Sequence, residues 1–62
     1  MNEAERWSNI EDVAYHLGVS KDTVRSWIRK GVIPYHRVGK QYRFRLSEID
    51  SWVMSGRAAD TE

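Results

Sequence analysis

Apolar residues recur along this chain with two periods, and each change of period is marked by a turn residue. Ile10, Val13, Ala14 and Leu17 follow the i, i+3, i+4, i+7 spacing of one helical face. Asn9 precedes them as an N-cap, and Asp12, three residues on, completes a capping box. Gly18 ends the run, as a residue tolerant of positive φ should. Val24, Trp27 and Ile28 form the next stripe. Ser20 opens it as N-cap, and Asp22 in its first turn suits the helix dipole. Gly31 stops it and Pro34 confirms the stop.

Only Gly18, Val19 and Ser20 separate the two helices, which forces the sharp corner of a helix-turn-helix. The period then falls to two. Tyr42, Phe44 and Leu46 alternate with Arg43 and Arg45, so one strand face is apolar and the other basic. Val38 lies in the preceding run, and Gly39-Lys40-Gln41 forms the tight turn of a hairpin. Arg37, Arg43 and Arg45 are expected to line its polar face, with His36 nearby. Two strands alone are marginal in water, so the apolar face must lean on the helices. A last helix is expected from Ser47 as N-cap, with Asp50 three residues later, Ile49, Trp52 and Val53 as its stripe, and Gly56 at its end. The order predicts a mainly α fold with a small β-hairpin, a winged helix-turn-helix. Residues 7–55 form the domain, and residues 1–6 and 56–62 are expected to be flexible.

Length sharpens this picture. A chain of 62 residues buries only about 60% of its unfolded surface, so it has one small core and little room for an enclosed pocket. The three Trp are expected to pack that core, Trp7 folding back onto the domain. There is no Cys, which excludes a disulfide framework and a Cys-based zinc site. His16 and His36, the only histidines, lie on different elements and do not suggest a metal centre. No apolar run approaches a membrane span, and the acidic start lacks a signal segment. The expected location is the cytoplasm, in association with the nucleoid.

Charge changes the picture most. The net charge is only +1, but residues 20–45 carry eight Lys and Arg against Asp22 alone, a local +7, between acidic flanks. That distribution points to a directed anionic partner. On the second helix, Asp22, Arg25, Ser26, Arg29 and Lys30 point away from the stripe, with Lys21 and Thr23 flanking it. Arg pairs two ways with guanine, Ser and Thr serve bases or phosphates, and Asp accepts from cytosine. Asp22 reads equally as base reader and as first-turn dipole residue. Ser20 is first a cap, at a helix N-terminus that presents free N–H groups to phosphate. On the hairpin, Lys40 and Gln41 at the tip join Arg37, Arg43 and Arg45 as a basic arm for the backbone or minor groove. The acidic ends are expected to face away from the DNA. No nucleophile motif or Gly-rich phosphate loop is present, so no enzyme activity and no cofactor are expected.

Val13-Ala14, Leu17-Gly18-Val19-Ser20, Thr23-Val24, Trp27-Ile28, Gly31-Val32-Ile33-Pro34, Arg37-Val38-Gly39, Tyr42-Arg43-Phe44 and Ser47 to Trp52 together resemble the excisionase and MerR-like family of small winged helix-turn-helix proteins. The resemblance runs from about residue 7 to residue 54. It implies that the helix from Ser20 enters the major groove and that the Gly39-Lys40-Gln41 wing touches the adjacent backbone or minor groove. Arg43 resembles a backbone-binding wing residue of that family. The implied roles are excision of mobile DNA or transcriptional control. The long dimerisation helix and effector domain of larger MerR-like regulators are not in these residues, so no small-molecule effector is expected. Double-stranded DNA is the expected partner. Useful specificity from so short a domain implies further copies on adjacent sites or a recombinase partner. The competing reading is a protein-interaction module that turns its basic face to an acidic partner.

Overall fold

Asn9 opens α1 (Ile10–Leu17) with the reciprocal pair its spacing predicts. Its side chain accepts from the Asp12 amide at 2.8 Å, and the Asp12 carboxylate accepts from the Asn9 amide at 3.0 Å. Ser20 opens α2 (Lys21–Lys30) by accepting from the Thr23 amide at 3.1 Å. The two helices close alike. Gly18 and Gly31 take left-handed φ of 73° and 71°, where a Cβ would be strained. The next amides then reach back, Val19 to the Ala14 carbonyl at 3.0 Å and Val32 to that of Trp27 at 3.1 Å. Val19 and Val32 pack against the core immediately after these closures. The three-residue corner is therefore set by capping bonds and by burial together. The computed structural model describes residues 6–56 and Ala58. The rest of the expected flexible ends, residues 1–5, 57 and 59–62, lie outside the described residues.

β1 (His36–Val38) and β2 (Gln41–Arg43) form an antiparallel hairpin pairing His36 with Arg43, Arg37 with Tyr42 and Val38 with Gln41. Gln41 is thus a strand residue, and the turn is Gly39-Lys40 alone. Gly39 has φ 63° and Lys40 is not left-handed, the requirement of a type II′ turn. Beyond β2 the chain stays extended, and Phe44 exchanges backbone hydrogen bonds with Ser8 at 2.8 and 2.9 Å.

α3 (Leu46–Met54) begins two residues earlier than expected, with Arg45 in the N-cap position in place of Ser47 and no side-chain cap bond. Ser47 lies inside the first turn, and Asp50 hydrogen-bonds His16 of α1 at 2.7 Å. The reason is tertiary. Phe44 and Ile49 are both fully buried, and the chain must turn between them. A cap at Ser47 would delay that turn.

The core draws on every part of the chain. Val13 and Ala14 come from α1, Val24, Trp27 and Ile28 from α2, Ile33 from the following loop, Phe44 from the end of the hairpin, and Ile49 and Trp52 from α3. Trp27 and Trp52 meet edge to face at 5.1 Å, a contact worth about 0.5–1.5 kcal/mol beyond its buried area. Val53, expected in the stripe, is 40% exposed. Trp7 departs from the core reading too, with 47% of its surface open to solvent.

Candidate nucleic-acid interface

Burial of Val24, Trp27 and Ile28 fixes the rotation of α2 about its axis. Lys21, Arg25 and Arg29, four residues apart, then run down one exposed side of the helix. Lys21 and Arg25 line an open cleft of ≈290 Å³ together with Lys40, Gln41 and Arg43 of the hairpin. Arg25 and Arg29 line the neighbouring cleft, floored by Ile10, Ile28 and Tyr42. The fold thus brings cations from two elements, far apart in sequence, to the same concave side.

The remaining α2 candidates are placed differently. Asp22, Ser26 and Lys30 form a second row, also four apart, and Ser26 is half-buried. Asp22 accepts a hydrogen bond from Arg25 Nη1 at 3.2 Å. It therefore steadies an arginine of the cleft, a role outside both sequence readings of this residue. The Ser20 and Thr23 hydroxyls lie 3.0 Å apart, and Ser20 also caps the helix. Both are already engaged at its N-terminus.

The hairpin corrects the expectation of one shared polar face for three arginines. Register pairs Arg37 with Tyr42, and directly paired residues share a face. Arg37 therefore lies on the face opposite Arg43, with its guanidinium 5.5 Å from the centre of the Tyr42 ring. Arg43 Nη1 donates to the Tyr42 carbonyl at 2.9 Å, which curls the side chain along its own strand. Arg45 has left the hairpin altogether, its guanidinium 4.1 Å from the centre of the Trp7 ring. His36 turns to α3, 2.9 Å from Glu48, and meets Trp7 edge-on at 5.2 Å.

A second correction concerns the acidic ends. Glu11 accepts from Lys21 Nζ at 3.4 Å and lines the basic cleft, with Asn9 beside it. Neither was a candidate, because periodicity on α1 says nothing about what lies across from it. Glu48 and Asp50 are bound to the two histidines, and in each pair the imidazole is charged only if protonated. These two pairs, Lys21–Glu11 and Arg25–Asp22 are all substantially exposed, so each contributes little to stability. Among the described residues, no group of three or more His, Cys, Asp or Glu side chains comes together as a metal site. No helix there is long and apolar enough to cross a membrane.

A three-residue corner between two capped helices, followed by a two-stranded hairpin whose cations share a cleft with the second helix, defines a winged helix-turn-helix protein. The chain belongs to the helix-turn-helix domain family, a family of DNA-binding domains, which matches residues 9–57. It is 54% identical over 57 residues to the uncharacterized protein YvgK of Bacillus subtilis (strain 168). That alignment covers 92% of this chain and 18% of the relative, so the chain spans less than a fifth of that protein's length. No solved structure matches the chain.

Proposed function

We propose that this domain binds double-stranded DNA in a sequence-directed way, with α2 in the major groove and the hairpin as a basic wing on the adjacent backbone or minor groove. One observation carries the reading: Lys21 and Arg25 of α2 share a cleft with Lys40, Gln41 and Arg43 of the hairpin. A solvated charged surface has no need to converge, whereas a duplex presents a groove and its flanking phosphates to both elements at once. Arg25 and Arg29 are the readers of bases. Asp22 holds Arg25 and opposes phosphate near it. Lys21, Lys40, Gln41 and Arg43 contact the backbone. Arg37 and Arg45, committed to Tyr42 and Trp7, support the wing.

The domain acts by marking or bending a short site without catalysis, as an excision-type recombination factor or a small transcription regulator. Both roles use the same contacts. Copies on adjacent sites, or a partner protein, supply the specificity that one short domain lacks.

Selection of duplexes from a random pool, followed by anisotropy titrations across salt concentrations, tests this. With about three cationic phosphate contacts, from Lys21, Lys40 and Arg43, log affinity falls against log salt with a slope of about 0.9 per contact. No binding to any duplex at low salt overturns the reading and leaves the basic face to an acidic protein partner.

A further inference from the structure

Trp7 and Ser8 lie ahead of the span matched by the family, yet they are built into the root of the wing. The paired bonds between Ser8 and Phe44 make a one-residue third strand there, and Ser8 is buried. Trp7, the residue before, stands between two side chains. The Arg45 guanidinium lies 4.1 Å from its ring centre, and the His36 ring meets it at 5.2 Å and 65°. His36 in turn reaches Glu48 at 2.9 Å. These contacts form a closed loop. They leave α3 at its N-cap residue Arg45, cross Trp7 to β1, and return to the first turn of α3 at Glu48.

The hairpin needs such a brace. Each strand has three residues, every residue of β1 is exposed, and a two-stranded hairpin is marginal on its own. Trp7 also differs from the other two tryptophans. Trp27 and Trp52 are 8% and 6% exposed, whereas 47% of Trp7 remains open. A ring held this far out of the core keeps only about half of its burial, but it offers a face to a cation and an edge to an imidazole.

We propose that Trp7 is a positioning residue for the wing: by bracing β1 against α3 through His36 and Arg45, it sets the angle at which Lys40, Gln41 and Arg43 face Lys21 and Arg25. The consequence for DNA rests on the function proposed above, whereas the bracing itself does not.

Hydrogen exchange separates the two. In Trp7→Ala, the Ser8 and Phe44 amides are expected to exchange about tenfold faster, while the Val13 and Val24 amides, bonded inside the helix pair, change by less than about twofold. Trp7→Phe keeps a ring face for Arg45 and restores slow exchange, whereas Trp7→Leu keeps apolar bulk and does not. Equal acceleration of all four amides, or rescue by Leu as good as by Phe, overturns the proposal. On the selected duplex, Trp7→Ala is expected to lose affinity by about tenfold and to show a salt slope shallower by about one to two contacts. In a Lys40→Ala, Gln41→Ala, Arg43→Ala background it should cost nothing further, because the groups it positions are gone. A full additional loss there overturns the positioning role. If the unaltered domain binds no duplex, the DNA reading fails alone, and the exchange result still decides the brace.

Discussion

The two basic surfaces of this domain are held in place by different physics. α2 carries its cations on the reverse of a stripe that is itself core: Val24 is fully buried and Trp27 and Ile28 nearly so. The position of Arg25 or Arg29 thus follows from close packing, which tolerates little displacement. The hairpin sends only Phe44, just past its second strand, fully into the core, with Tyr42 half-buried beside it. Its cations are held by register, by a tight turn and by surface contacts such as Arg37 over Tyr42. One reading element is rigid because it is half core. The other is an arm whose angle depends on its root. Under the function proposed above, this contrast assigns base readout to the rigid element and backbone contact to the adjustable one, since phosphates tolerate a range of approach that base edges do not.

The strongest way to break this contrast is at the residue both surfaces share. Phe44→Ala removes a fully buried ring at the junction of hairpin and core, at a cost of about 3–5 kcal/mol. A domain of this length has a total stability of roughly 3–9 kcal/mol, so the loss takes from about a third of it to all of it. Urea titration followed by circular dichroism should show a transition moved by at least about 3 kcal/mol, to much lower urea or to a protein already unfolded without it. A cooperative transition shifted by under about 1 kcal/mol would mean that the hairpin root is not part of the core.

Next in size is the contrast itself. Arg25→Ala should reduce discrimination between the selected site and single-base variants by about 1–3 kcal/mol, while Arg43→Ala weakens all duplexes alike and lowers the salt slope by about one. Equal losses on all sequences from both substitutions would erase the division between base reader and backbone arm.

Smaller effects test how each element is set up. Ser20→Ala removes the α2 cap and should cost about 1 kcal/mol in urea. Glu11→Gln frees Lys21 from an exposed partner, so stability should move by less than about 1 kcal/mol. Affinity for arbitrary duplexes should rise by a few-fold, because a carboxylate no longer faces the phosphates across the cleft. A fall in affinity would place Glu11 among the contacts to DNA.

How much of this was legible in the chain depends on the range of the interaction. Asn9 with Asp12, Ser20 with Thr23, and Gly18 and Gly31 act across one to four residues, and these local signals predict α1, α2 and their corner to the residue. The apolar stripes likewise name most of the core. The misreadings occur where a distant partner decides. Arg37 of one strand and Arg43 and Arg45 of the next look alike until pairing with Tyr42 puts Arg37 on the face opposite Arg43. Ser47 and Asp50 read as a cap until His16, 34 residues away, takes the carboxylate.

The chain by itself therefore determined the helix-turn-helix corner, the exposed cationic side of α2 and the presence of a basic hairpin, because capping and periodicity are short-range. Tertiary structure alone decided which cations share a cleft, that Glu11 enters it, and that Trp7 meets Arg45 and His36 at the root of the wing. The physical reason is that register, rotation and cross-element pairing depend on residues far apart in sequence.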